Sequence, residues 1–413
     1  MNFVVCHRQL TTIALTQYGI QRHHRDNLQF YISGDAQMKL KRIFTSVAAI
    51  ATAALSFTAT AATELNASSW FPDSHPLAKV GYLDWAKKVE KASNGDIKIK
   101  VYTGHSLLPA NAHLSGLRDG IAHITYHPGT YTPSDIPEDN VLAMLAIGMN
   151  DPYVTAFAVT DFYLNDPTMQ ERWKRNKIVY LGGYATTPYN LICRKRVANL
   201  ADLKGLKLRT PGATHADWAR SVGATPVNVS SSEIFTGLDK GQIDCAVIPV
   251  NELKARSFWD VAKFANTLNL GPYYAGWQWA MNAGTWAKLN PKQRKILIDT
   301  VSDSIVDTLI AYDESDKQAV SESKSHGVEI IPPAKDAQDS VVQFAPAART
   351  AAIQEAQKRF KLKDADGLVT RFEAVVKKWE KLLAGVNKQD AAAMKVLTRQ
   401  HIYSNVNSEK YGM

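Results

Sequence analysis

The stretch that most constrains this chain is Ala201–Gly212, which reads ADLKGLKLRTPG. Lys204-Gly205 is a turn signal, and Leu206-Lys207-Leu208-Arg209 alternates apolar and basic residues, the pattern of a short strand. Leu206 and Leu208 then face a core, while Lys207 and Arg209 face the other way. Thr210-Pro211-Gly212 breaks the strand and leaves Arg209 at its carboxyl end, beside a loop. In open α/β sheets that edge is where ligands bind. A guanidinium there offers a rigid fork of donors that matches a carboxylate in two parallel hydrogen bonds. Taken alone, the stretch also fits a surface arginine in an ion pair.

The pattern around it is α/β, and it runs twice. Glu64–Trp70 reads as a strand, and Asp73-Ser74-His75-Pro76 as a helix start with proline in the first turn. Ala78, Tyr82, Trp85, Val89 and Ala92 form one apolar helical face. Ile97, Ile99 and Val101 alternate as a second strand, a helix follows near Ala110–Asp119, and Ile121–Tyr126 is a third strand. Val141–Ile147 and Pro152–Trp173 read as helices, the second amphipathic, and Ile178–Leu181 as a buried strand before Gly182-Gly183. Then the order restarts. Tyr189–Cys193, Leu206–Arg209, Pro226–Val229 and Ile243–Ile248 are strands, and His215–Val222 is a helix. Ser230 with Glu233 forms a capping box, and Asn251 caps a helix through Phe264. Tyr273–Met281 is an aromatic-rich strand leading back to the first unit. Asn290-Pro291 starts a helix with no breaker before Gly327, about 50 Å long. Val328–Ile331 is a late strand, with helices near Ala334–Arg359 and Gly367–Leu383.

These elements predict a two-lobed clamp. The first lobe is 62–186 completed by 276–312, the second is 187–275 completed by 313–395, and 396–413 is a tail. Met38–Ala61 is a secretory signal: Lys39, Lys41 and Arg42, an apolar run from Ile43 to Phe57, then Ala59-Thr60-Ala61. The expectation is export, with cleavage after Ala61. Residues 1–37 precede a complete signal and read as an over-extended gene start. The formal charge is +9, of which residues 1–61 carry a surplus of four (six Lys/Arg against two Asp/Glu), leaving a mild excess of five spread along the rest. No cluster of basic and aromatic residues of the kind that binds nucleic acid is present. Cys193 and Cys245 are either a disulfide or two small buried residues on neighbouring strands.

Residues at strand ends and loops facing the lobe junction are the binding candidates. The first lobe offers Trp70, Phe71, His75, His127 and Tyr131. The second offers Tyr184, Thr187, Tyr189, Asn190, Arg209 and Glu233, and the connecting strand Tyr274, Trp277 and Asn282. Aromatic walls with a few polar groups are what a small-molecule cleft needs, although each aromatic taken singly also fits core packing. His123 and His127 stand four apart, but on a strand that spacing separates them by about 13 Å, so no metal site is expected. No nucleophile elbow, phosphate loop or dinucleotide fingerprint occurs, so the chain is not expected to be an enzyme and no cofactor is expected.

Asp202-Leu203-Lys204-Gly205-Leu206-Lys207-Leu208-Arg209-Thr210-Pro211, then Gly223-Ala224-Thr225-Pro226 and Ser232-Glu233, resemble in order and spacing the solute-binding proteins of TRAP transporters. The resemblance runs from about residue 62 to about residue 330. It implies a periplasmic receptor whose arginine, at the Arg209 position, clamps a ligand carboxylate. It also implies a long helix spanning both lobes and two integral membrane subunits, small and large, as partners. Two positions depart from the family. Ile248 stands where an asparagine is common, and Tyr189-Asn190 where some members carry a second arginine. Both changes remove polar partners and point to a monocarboxylate with an apolar or aromatic body. A periplasmic sensor that signals to a membrane receptor is the alternative on the same clamp.

Overall fold

A computed structural model describes residues 62–413; the expected signal segment and the residues before it lie outside this range. Two sheets form the frame. The first has strand order β2-β1-β3-β10-β4, from β1 (Thr63–Ser68), β2 (Ile97–Tyr102), β3 (Ile124–His127), β4 (Ile178–Gly182) and β10 (Trp277–Asn282). The second has order β11-β9-β5-β8-β6-β7, from β5 (Tyr189–Cys193), β6 (Lys207–Arg209), β7 (Thr225–Val227), β8 (Cys245–Pro249), β9 (Phe264–Asn266) and β11 (Glu329–Ile331). β6 runs parallel to both β7 and β8, so the three carboxyl ends share one edge. β5 lies antiparallel to β8 with Cys193 directly opposite Cys245, and the two sulfurs are bonded.

Two extended segments cross between the sheets side by side. Thr186 N–H donates to Tyr273 O, Tyr273 N–H to Thr186 Oγ1, and Tyr189 N–H to Gly271 O, each at 2.9 Å. Gly276 closes this pair into β10 with φ +86°, where an added Cβ would stand 1.9 Å from His127 O. Its N–H donates at 2.7 Å to Asp139, whose buried carboxyl also takes the Tyr163 hydroxyl at 2.6 Å. Burial raises that carboxyl to about 7, against the pull of those two donors.

The long helix is Pro291–Ser323, started by an Asn290–Gln293 capping box with proline in the first turn. Its 33 residues reach about 50 Å. Thr300 and Asp307 bond Trp85 and Lys88 of the first lobe, while Asp316, Gln318 and Glu322 bond Asn251 and Lys254 of the second. This helix spans both lobes.

Several expected elements differ. Pro152–Trp173 is two helices, Pro152–Asn165 and Pro167–Arg175, because Pro167 lacks the N–H that would continue the first. The first of the two is buried nearly all round rather than amphipathic, since the helix Ala365–Leu383 covers its outer face through Phe157–Trp379 and Phe162–Phe372 contacts. The helix after Asn251 stops at Ala255, and Phe264 lies in a strand. Asn251 makes no side-chain cap. The strand expected from Tyr273 starts at Trp277, because residues 271–276 are held in the crossing pair. The tail is tied to the first sheet: the Tyr403 hydroxyl donates to Leu181 O and the Tyr411 hydroxyl to Tyr180 O.

Candidate functional site

Arg209 ends β6 at the shared carboxyl edge and is only 2% exposed. Its Nε donates to Val229 O at 3.2 Å and its Nη1 to Val247 O at 3.3 Å, and these carbonyls fix the guanidinium plane. Among the described residues no carboxylate pairs with it, and Nη2 has no partner. A buried, uncompensated cation is costly unless an anion joins it. The surface ion pair that the stretch alone also allowed is absent.

The neighbouring edge is aromatic. Tyr189, the first residue of β5, stacks on Tyr273 with centroids 5.8 Å apart. The Tyr184 hydroxyl meets the Tyr126 hydroxyl at 2.8 Å and donates to Ala275 O at 3.1 Å. Tyr131 of the first lobe accepts the Ser231 N–H of the second at 2.6 Å, and Thr130 meets the Tyr273 hydroxyl at 2.7 Å. Trp70, Phe71 and His75 form a stack, with centroids 3.7 Å and 3.8 Å apart, that ends edge-on to Tyr312.

A charged cluster joins this stack to the second lobe. His75 Nδ1 accepts the Leu77 N–H, so the neutral ring carries its proton on Nε2 and donates to Glu252 at 3.2 Å. Arg256 donates to the other Glu252 oxygen at 2.5 Å and to Ser231 through both terminal nitrogens. Its guanidinium also lies over the rings of Phe258, Phe71 and Trp70. Burial alone would raise the Glu252 carboxyl, but Arg256 and His75 outweigh it and hold it at about 2. Burial lowers the His75 pKa against Glu252, and Arg256 adds to the lowering. Beside the cluster the lobes leave a groove of about 390 Å³, lined by Trp70, Ser74, His105, Ser232, Arg256 and Phe258 among others.

Arg209, Tyr184, Tyr189, Tyr131, Trp70, Phe71 and His75 therefore gather at the junction, and Thr187 lies in the segment that crosses it. Six other candidates do not join them. Asn190 turns its amide to Leu268 O, and exposed Glu233 is spent in the capping box with Ser230. Tyr274 donates to Leu142 O beneath Phe372. Trp277 and His127 pack on each other inside the first lobe, bonded to Thr125 and Thr132. Asn282 caps the helix Ala283–Lys288 at the far end of β10. Sequence reasoning missed Glu252, Arg256 and Tyr312. The four-residue spacing of Glu252 and Arg256 after β8 was their signal, whereas Tyr312 sits in an apolar stripe and had none.

A family model for bacterial extracellular solute-binding proteins, family 7, matches residues 67–355. The chain is a family 7 solute-binding protein. These are the solute-binding proteins of TRAP transporters, and they are periplasmic binding proteins rather than enzymes. A solute-binding protein of Albidiferax ferrireducens is 27% identical over 220 residues, 52% of this chain and 63% of its own length, so the match spans less than two thirds of that relative. The sialic acid-binding periplasmic protein SiaP of Vibrio cholerae is 25% identical over 256 residues, 60% of this chain and 76% of its own. A TRAP solute-binding protein from Rhodoferax ferrireducens, crystallised with copurified benzoate, superposes with a TM-score of 0.69 at 22% identity, covering 78% of this chain and 99% of that one. One from Bordetella bronchiseptica with bound mandelate gives 0.65 at 22% identity, covering 76% and 99%. The structural likenesses establish the two-lobed fold of this family 7 protein.

Proposed function

We propose that this protein is an exported receptor that captures an organic acid by lobe closure and delivers it to the two membrane subunits of a TRAP carrier. The observation that carries the reading is Arg209, a buried guanidinium at the sheet edge with no carboxylate of its own among the described residues. Arg209 holds the ligand carboxylate in both lobe orientations, and the first-lobe aromatics touch the ligand only after closure. Ligand thus favours the closed state by those extra contacts. The bonds of Tyr131 to Ser231 and of His75 to Glu252 are the protein's own share of that closure.

The other junction arginine, Arg256, is already bonded to Glu252 and Ser231. Among the described residues the junction thus offers one free cation, which suits one carboxylate, so the ligand is a monocarboxylate with an aromatic or apolar body. Benzoate and mandelate, found in two structural neighbours, are the first compounds to try. The test is a thermal-shift screen of mono- and dicarboxylates, uronates and aromatic acids beside Arg209→Ala. Ligand at 100 times its Kd stabilises by about 2.7 kcal/mol, a shift of a few degrees. An acid that shifts the wild type and leaves the folded mutant unmoved supports the clamp. An equal shift in both overturns it.

A further inference from the structure

We propose that residues 365–413 are a charge-fastened strap that holds the long helix to the first lobe as far as Asp313, so that the lobes turn against each other at Asp313–Asp316 and at Pro346. Nothing in this depends on what Arg209 binds.

The helices Ala365–Leu383 and Ala391–Thr398 and the tail lie beyond residues 67–355, the part of the chain that the family model matches. Towards the first lobe and the long helix, the strap always supplies the cation. Arg371, Lys378 and Lys388 pair with Asp166, Asp161 and Asp151 of the first lobe. Lys395 and Arg399 pair with Asp307 and Asp303 of the long helix. Asp161 and Asp166 are buried, and a buried carboxylate needs a cation in a way that an exposed ion pair does not. The Tyr403 and Tyr411 hydroxyls add their bonds to β4, and Arg294, near the start of the long helix, donates to Ser408 O and Glu409 O. The last of these ties is Gln389 to Asp313, whose carboxylate also takes the Tyr153 hydroxyl of the first lobe.

Just beyond Asp313 the long helix changes lobes. Asp316 accepts the Asn251 N–H, and Gln318 and Glu322 bond Lys254, all in the second lobe. Among the described residues the strap makes no hydrogen bond to the second sheet or to the long helix past Asp313. One continuous helix is therefore held by the first lobe over one part and by the second over the other.

The helix Lys335–Lys358 changes sides in the same way. Its first half belongs to the second lobe: Asp336 accepts the Leu200 N–H at 3.1 Å, and Ser340 the Trp218 indole N–H at 3.3 Å. Its second half belongs to the strap, through Arg349 donating to Glu373 at 2.9 Å. Pro346 stands between the two. It has no N–H to offer the Val342 carbonyl, so the helix ladder is broken there, beside an exposed residue. Past Pro346 a groove of about 350 Å³ opens between this helix and the second-lobe helix Ala213–Ser221, lined by Ala213, Asp217, Gln354 and Lys358 among others. A missing bond at the place where one helix changes partners is what a hinge requires.

The experiment is spin-label distance measurement on ligand-free protein, residues 62–413. One label sits on the strap at Lys377→Cys, and the other at exposed Lys98→Cys in the first sheet or exposed Lys240→Cys in the second lobe. Cys193 and Cys245 are bonded to each other and take no label. The strap-to-first-lobe distance should be single and narrow, and the strap-to-second-lobe distance broad or split. Lys378→Ala/Lys395→Ala/Arg399→Ala should broaden the first of these. Pro346→Ala restores the ladder without straining the fold, and should narrow the second. A strap that keeps a narrow distance to the second lobe overturns the proposal, whatever its distance to the first. A folded triple variant with an unchanged first distance removes the strap, and an unchanged second distance in Pro346→Ala removes the hinge. Should the triple variant not fold, the wild type and Pro346→Ala decide. No ligand enters these measurements, so a failure of Arg209 as the carboxylate clamp leaves their outcome untouched.

Discussion

His75 and Glu252 meet across the lobe junction, Nε2 to Oε1 at 3.2 Å, with both side chains buried. The contact joins the loop after β1 in the first lobe to the short helix Glu252–Ala255 after β8 in the second, so it exists only while the lobes are together. Its imidazole is neutral and its carboxylate is charged.

That protonation state sets a pH dependence. Burial lowers the His75 pKa from its ordinary 6.5, so the closed form binds fewer protons than the open one. The contribution of His75 to closure is intact above 6.5 and is lost as pH falls below it, while Glu252, held at about 2, stays ionised. Asp316, raised to about 7 by burial, acts in the opposite direction, since its contribution is lost as pH rises. The two groups pull ligand affinity in opposite directions between pH 7.5 and 5.5, so calorimetry over that range should show His75→Gln losing affinity on acidification less, or gaining it more, than the wild type. A slope equal to the wild type's in that variant would remove His75 as a contributor.

The disulfide contributes through the unfolded chain. Cys193 and Cys245 close a loop across 52 positions, and chain entropy assigns such a loop about 4 kcal/mol at 25 °C. Urea unfolding of Cys193→Ala/Cys245→Ala should show a lower midpoint by that order, with ligand affinity largely kept. A midpoint equal to wild type under oxidising conditions would show that the bond adds nothing.

Gly276 is the least replaceable residue of the crossing pair. Its φ of +86° disfavours any side chain, and a Cβ would meet His127 O at 1.9 Å and Gly129 N at 2.5 Å. Backbone cannot move aside as a flexible side chain can, so Gly276→Ala should cost more than about 3 kcal/mol. Thermal melting checks this. A variant that melts within a degree of wild type would mean that the crossing segment tolerates a shift.

The comparison of sequence with structure is clearest residue by residue. Arg209 was legible because a strand, a breaker and a basic residue in that order place a guanidinium at a sheet edge whatever else the chain does. The Ser230–Glu233 box was legible for the same reason: its partners lie three residues apart. The break at Asp166-Pro167 was passed over although proline marks it, because the apolar spacing ran on across it.

Short-range information thus determined the elements, the two-lobed order, the long helix and the edge position of Arg209. Only the tertiary structure decided which aromatics face the junction. Trp277 and Tyr274 look like Tyr184 and Tyr189 in sequence, yet the first two fill the first lobe and the last two border the junction. It also brought Glu252 and Arg256 to His75, some 180 residues away, and set Tyr312, from a stripe that reads as core, edge-on to His75. The physical reason is range. Propensity, capping and turn chemistry act between residues a few positions apart, whereas desolvation and ion pairing depend on what the folded chain brings within a few ångströms.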